Sequence, residues 1–403
     1  MPTKATDSPY GAPMDPLVPR MRPHRTSVFG AMSRRAAELG AVNLGQGFPD
    51  IDGPVSVRDA AIAAIQEGRG NQYPPVHGVP ELRQAIALHQ KHFYALDVDP
   101  LDGVVVGTGA SETLVAAILA LVDEGDEVIV VEPYFDLYAA AIDLARGVRV
   151  AVPMIMTGGR ASVDIDMLAT RVTSRTRLVI INSPHNPSGS MLTDEELVGI
   201  AAIARDRDLL VLADEAYEHL VFDGVRHRPI ATLAGMWERT ITVGSAGKSF
   251  SFTGWKVGWA TGPAQLIAAV RTVRQHMSYV SSGPFQYAIA EALALPDAYF
   301  TEAARDLQRR RDLLASGLRE CGLVPGDTHG SYFVMTDVRP LGFATGAAFC
   351  EDALTRAGVA AIPVQAFCDT DVGNPYVRWT FCKRDEVLHE AIARLHKGYG
   401  SRE

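Results

Sequence analysis

No stretch of the 403 residues approaches the roughly 18 consecutive apolar residues that a membrane-spanning helix requires, so no membrane partner is expected. Cysteine is scarce as well. The four present, Cys321, Cys350, Cys368 and Cys382, are scattered through the last quarter, with no CxxC pair and no metal-ligand spacing. No metal site is expected from them, and free thiols point to a reducing, cytoplasmic compartment. Positive charge is in deficit: 38 Lys and Arg against 47 Asp and Glu leave a net charge of -9. Binding to a phosphate backbone needs clustered cations, so nucleic acid is not an expected partner either. Small acidic substrates stay open, because a few local cations suffice for them. The N-terminus, with Pro2, Pro9, Pro13, Pro16 and Pro19, lacks the apolar core of a signal peptide and reads as a loose arm over residues 1–20.

What is there is an ordinary globular composition, 47% apolar, on a chain long enough for two or three domain-sized units. Short apolar runs alternate with amphipathic segments. Residues 104–106, 127–131, 178–181, 209–213, 240–243 and 257–261 read as strands, and 111–121 and 137–145 as helices between them. Runs this continuously apolar suit strands buried on both faces, as in a mostly parallel sheet covered by helices. From about residue 297 the texture changes to a long charged helix through 319. Short strands at 332–336 and 377–381 and a closing helix from about 384 follow. This predicts an α/β chain with a large domain over 51–296 and a small α+β domain over 297–403, completed by residues 21–50.

Four local signals carry chemistry. Gly107-Thr-Gly109-Ala-Ser-Glu112 follows a strand and opens a helix, but Glu112 stands where a dinucleotide fingerprint needs glycine, and no Gly-Lys-Ser/Thr closes a Walker loop. A helix N-terminus able to hold one phosphate remains, and so does a plain strand-to-helix turn. Ser183-Pro184-His185-Asn186-Pro187-Ser188-Gly189 fixes a turn at the carboxyl end of a strand, where α/β sheets place ligands. Asp214 closes the apolar run 209–213, either capping the next segment or pairing a protonated ring nitrogen. Ser245-Ala-Gly-Lys248-Ser-Phe250 puts a lysine in a tight loop of small residues after a strand, where desolvation favours a neutral, nucleophilic amine. Ser245 and Lys256 flank it with a hydroxyl and a cation, as a phosphate pocket needs.

In this order and spacing the motifs resemble class I/II aminotransferases of pyridoxal-phosphate (PLP) fold type I. Nearest is the subgroup of kynurenine aminotransferase/glutamine transaminase K and the actinobacterial N-succinyldiaminopimelate aminotransferases. The resemblance runs from about Arg22 to Leu395. It includes Val42-Asn-Leu-Gly-Gln-Gly-Phe-Pro-Asp50, Asn71-Gln-Tyr73, Glu132-Pro133, Trp237-Glu-Arg-Thr240 and, most specifically, Gly244 to Trp259. It implies a seven-stranded, mostly parallel sheet and pyridoxal 5'-phosphate held by Lys248 as a Schiff base, with the lysine then moving the substrate proton. By the same resemblance Asp214 pairs the ring nitrogen, Tyr217 and Asn186 bond the phenolic oxygen, and Phe135 stacks on the ring. Ala110, Ser111, Ser245 and Lys256 bind the phosphate, and Tyr73 reaches the phosphate of the neighbouring subunit of a homodimer. Arg378 takes the substrate α-carboxylate, Gly47 closes over the substrate, and Phe29 and Tyr279 line the side-chain pocket.

The implied reaction is ping-pong amino transfer between an L-amino acid and a 2-oxo acid, with the 2-oxoglutarate/glutamate pair expected on one side. Tyr279-Val280 stands where the kynurenine and glutamine enzymes often have Phe-His. That stretch, with Gly283-Pro-Phe-Gln286 and Phe381-Cys-Lys-Arg384, looks more like the succinyldiaminopimelate enzymes. Glutamine, methionine or aromatic donors, and a cysteine-conjugate β-lyase, are the alternatives. Reading Ser245-x-x-Lys248 as a serine nucleophile with a lysine base fails, because the Ser-Asp-Asn and Lys-Thr-Gly partners are absent. A non-catalytic effector lobe has no DNA-binding segment to serve.

Overall fold

A computed structural model of the protein describes residues 15–157 and 159–400. Its centre is a seven-stranded sheet. In spatial order the strands are Val104–Thr108, Val257–Thr261, Thr240–Ser245, Leu210–Asp214, Thr176–Asn182, Glu127–Glu132 and Val148–Pro153. Only Val257–Thr261 runs antiparallel to its neighbours. The interior strands are buried along nearly their whole length, which is why they read as unbroken apolar runs. Val148–Pro153 is the strand missing from the sequence reading. It is a half-exposed edge strand containing Arg149 and therefore lacks the apolar run of the others.

Apolar clusters cover both faces of this sheet. One packs the helices Gly109–Leu121 and Asp136–Ala145 on one side through Leu114, Ile118, Tyr138 and Ile142. Another packs Asp194–Asp206 on the other through Leu197 and Ile200. The consequence for function is directional. Thr108, Asn182, Asp214 and Ser245 all end their strands, and the parallel ones among them end at one edge, where a doubly covered sheet leaves a crevice.

The long helix Asp297–Glu320 leads to a second, four-stranded sheet containing Phe333–Asp337 and Tyr376–Thr380 in antiparallel register, closed by Asp385–Tyr399. Val42–Asn43 pairs in parallel with Val359–Ala360, so the chain before residue 50 joins this unit. The core beneath the second sheet also takes in Tyr217, Leu220 and Phe222 from the loop after Leu210–Asp214. Of the expected arm, residues 1–14 lie outside the described residues. Pro19–His24 form a 3-10 turn whose His24 Nε2 is 2.6 Å from an Asp143 oxygen on the helix Asp136–Ala145.

Candidate active site

The crevice at the strand ends is a cavity of about 260 Å³, and it gathers most of the expected residues into one place. Phe29, Gly47, Ala110, Ser111, Phe135, Asn186, Asp214, Tyr217, Ser245, Lys248, Lys256 and Arg378 all line it. Tyr73 and Tyr279 do not. They pack edge-on against each other, with ring centroids 5.3 Å apart, and are 81% and 50% exposed.

At one end Gly109, with φ +77°, turns the strand Val104–Thr108 into the helix Gly109–Leu121. A Cβ there would sit 3.1 Å from Lys256 Nζ, and one at Gly258 would overlap the Ala110 backbone nitrogen. Both glycines thus let the antiparallel strand and the Lys256 ammonium come against the helix N-terminus. Glu112 folds back to accept from the Thr108 N–H and from Ser278 Oγ, which gives the acid in that loop a structural use. Helix-start N–H groups, two hydroxyls and a lysine thus line one cavity, the donor set a phosphate monoester needs.

Asp214 is 5% exposed, and burial raises its carboxyl pKa. Its Oδ2 accepts from Tyr138 Oη at 2.6 Å and its Oδ1 from the Ala216 N–H at 3.2 Å, so it both turns the chain and presents its carboxyl group to the cavity. A protonated ring nitrogen would supply the counter-charge that this buried carboxylate lacks. Asn182, one strand over, donates to the Asp214 carbonyl at 2.8 Å and accepts from the Asn186 N–H at 2.7 Å, locking two strand ends together.

Lys248 leaves the short helix Ala246–Ser249, and desolvation brings its pKa down to about 8. Its Nζ donates to Tyr332 Oη at 2.9 Å. Arg378, 1% exposed, donates from Nη1 to Asn186 Oδ1 at 2.9 Å and from Nη2 to the Gly45 carbonyl at 2.7 Å. The Phe333 ring lies 4.1 Å and the Phe29 ring 4.9 Å from the guanidinium carbon. Arg378 Nε is buried without a partner, a donor still open for a carboxylate.

These residues fit pyridoxal 5'-phosphate: an amine poised near neutrality, an acid for the ring nitrogen, an aromatic face and a phosphate cradle in one cavity. Comparison with known proteins agrees. Residues 40–395 match the family described as Aminotransferase class I and II. The protein belongs to that family. The aminotransferase is 50% identical to a probable N-succinyldiaminopimelate aminotransferase of Mycobacterium tuberculosis, over 94% of this chain and 97% of that one. It is 39% identical to a kynurenine–oxoglutarate transaminase of Dictyostelium discoideum, over 92% of this chain and 94% of that one. The solved N-succinyldiaminopimelate aminotransferase from M. tuberculosis superposes with a TM-score of 0.92 at 50% identity, covering 94% of this chain and 99% of that one. The aminotransferase is therefore a PLP-dependent enzyme of fold type I.

Sequence reasoning missed Tyr138, Asn182 and Tyr332. Each is a polar group inside or at the end of an apolar run, and a buried tyrosine in such a run reads as core. The signal for Asn182 was present: a polar residue closing a fully apolar strand has to bond to something at the sheet edge. Away from the cavity, His89, Glu218 and His219 bring metal-ligating atoms together. The two Nε2 atoms are 2.6 Å apart, a hydrogen bond between imidazoles that burial keeps neutral. Two nitrogens on one tetrahedral zinc ion would lie about 3.3 Å apart. No helix among the described residues is long and apolar enough to cross a membrane.

Proposed function

We propose that the enzyme transfers the amino group of N-succinyl-diaminopimelate to 2-oxoglutarate, with Lys248, Asp214 and Tyr217 as its catalytic residues. The observation that carries the substrate is the 50% identity, sustained over 94% of the chain, to the mycobacterial enzyme of that name.

When bound, the cofactor takes up the electron pair left at the substrate Cα. The chain's residues do the rest. Arg378 holds the α-carboxylate through the N–H groups it does not give to Asn186 and Gly45, which fixes the Cα–H bond toward Lys248. Lys248 Nζ, half neutral near pH 8, takes the Cα proton and delivers it on the cofactor side. Asp214, oriented by the Tyr138 hydrogen bond, would pair the positive charge of a protonated ring nitrogen. Tyr217 and Asn186 would donate to the phenolic oxygen, and Phe135 would cover the ring. Ala110, Ser111, Ser245 and Lys256 hold the phosphate. Gly47 closes over the substrate, and Phe29 and Tyr279 shape its side-chain space.

In this reading residues 51–296 form the cofactor-binding domain, and 21–50 with 297–403 the smaller one. The enzyme works as a homodimer in the cytoplasm. Support for the dimer is Tyr73, which does not line the crevice of its own chain and exposes 81% of its surface, free to reach a second copy's phosphate. The free thiols of Cys321, Cys350, Cys368 and Cys382 suit a reducing compartment.

A second reading has a specific observation behind it. The cations lining the cavity are Lys248, Lys256 and Arg378, each with a role above, and the remaining walls include Phe29, Phe48 and Phe333. Such walls favour a kynurenine, glutamine or methionine side chain, with the 34% identical methionine aminotransferase of Escherichia coli a further relative. Titration of the PLP-loaded enzyme with each donor decides. Conversion of the visible band most efficiently by N-succinyl-diaminopimelate supports the first reading. Conversion chiefly by aromatic donors, glutamine or methionine supports the second. Pyruvate and ammonia formed from a cysteine conjugate without any oxo-acid acceptor would mark a β-lyase.

A further inference from the structure

Tyr332 precedes the strand Phe333–Asp337 and is 1% exposed, its ring edge-on to Tyr217 at 5.1 Å and to Phe333 at 4.7 Å. Its hydroxyl makes two bonds of different kinds. It donates to the Gly47 carbonyl at 2.6 Å and accepts from Lys248 Nζ at 2.9 Å. A phenol has one proton, and here that proton is committed to the backbone. What faces the lysine is therefore a lone pair. A neutral amine beside it has to donate one of its N–H groups, which leaves the nitrogen lone pair free for the cavity.

We propose that Tyr332 is a positioning residue for proton transfer, which orients the freed Lys248 amine so that its lone pair points at the substrate Cα, and does so only while residues 45–48 are closed. This dependence on the loop comes from the bond to Gly47. If that loop opened, the tyrosine proton would be released and could be donated to Lys248 Nζ, occupying the lone pair the reaction needs. Gly47 itself is fitted to this contact: a Cβ there would overlap the Phe333 ring and lie 3.1 Å from the Tyr332 ring. The neighbouring Gly45 carbonyl is held by Arg378 Nη2 at 2.7 Å, so the closed loop joins the carboxylate clamp to the base. Substrate seated on Arg378 and a correctly turned amine thus require the same loop position.

The inference rests on Lys248 being the reacting amine, and the experiment separates the two. Borohydride reduction of the wild-type holoenzyme followed by peptide mapping is expected to place the cofactor on Lys248. An adduct on another lysine would overturn both readings. With Lys248 confirmed, Tyr332→Phe keeps the buried ring and removes only the oxygen. Expected is a drop in kcat of about 10- to 100-fold, a fraction of what a general base contributes. The KM for the amino donor and the melting temperature should change far less than kcat, and the isotope effect on kcat with α-deuterated donor should grow. In cofactor-free protein the pH midpoint for chemical modification of Lys248 should fall, because an acceptor that favours the ammonium is gone. Of the other groups facing that amine, Asp214, Lys256, Arg378 and Cys382 are untouched by the change, and Tyr217 loses only its hydroxyl contact with Tyr332. A wild-type isotope effect with an unshifted midpoint, or a loss confined to KM and melting temperature, would overturn the role of Tyr332.

Discussion

Arg378 and Asn186 are joined by a 2.9 Å hydrogen bond, Nη1 to Oδ1, although 192 residues separate them in the chain. The bond ties the group proposed to hold the substrate carboxylate to the amide proposed to face the cofactor's phenolic oxygen. A planar guanidinium suits this position because it can serve Asn186, Gly45 and a carboxylate at once while lying between Phe333 and Phe29. Arg378→Lys keeps the charge but loses the fork. We expect the KM of amino and oxo acid to rise about a hundredfold, the loss of one or two charge-assisted hydrogen bonds. Steady-state kinetics checks this, and an unchanged KM would remove Arg378 from the carboxylate site.

Asp214 and Tyr138 form a second pair, at 2.6 Å and fully inside the protein. Asp214→Asn leaves the shape and removes the charge. The half-reaction, followed by loss of the visible band in stopped flow, should slow by at least 10²-fold, the scale of removing one preorganised electrostatic contact. Tyr138→Phe removes a single neutral donor from that carboxylate and should cost roughly tenfold or less. Equal effects of the two changes would contradict the division of labour between them.

These two pairs also mark what was legible in the sequence. Asp214, Lys248, Asn186 and the Gly109 loop stand out because each closes or soon follows an apolar strand, and a sheet buried on both faces leaves only its ends for chemistry. Helix limits were close for the same reason: residues 137–145 were expected where Asp136–Ala145 is found, and 297–319 where Asp297–Glu320 is found. Tyr138 and Tyr332 gave no such sign. Their hydroxyls matter through partners 76, 84 and 285 residues away, and no local pattern encodes such separations. The edge strand Val148–Pro153 escaped because half-exposure lets polar residues into it.

Burial of Lys248 sets the pH dependence of catalysis. Its pKa is brought down to about 8, chiefly by desolvation, with Lys256 and Arg378 adding repulsion against the partial offset of Asp214 and Cys382. An amine that must accept a proton is inactive when protonated. The single-turnover rate should therefore climb as pH rises through about 8 and level off above it. Lys256→Gln removes one of the repelling charges and should move that midpoint upward. A rate independent of pH between 7 and 9 would sink the assignment of Lys248 as the base.

Three of the buried histidines should weaken the fold in acid. His89 and His185 have pKa values pushed down to about 4 by desolvation, and His219 is lowered as well. An unfolded histidine takes up its proton near pH 6.5, so between about 6.5 and 4 the unfolded chain binds more protons than the folded one. Stability from these groups is thus complete above about pH 6.5 and falls as the pH drops toward 4. His89 and His219 share their hydrogen bond within a nest of Phe93 and Phe300. Replacing both by apolar residues of similar size, His89→Leu with His219→Phe, removes two protonation sites and the bond together, which keeps the cost at neutral pH small. The double variant should melt near the wild-type temperature at pH 7.5 but lose less than the wild type when the pH is taken to 5. An acid limb as steep as the wild type's would mean that protonation elsewhere, not of this pair, opens the fold.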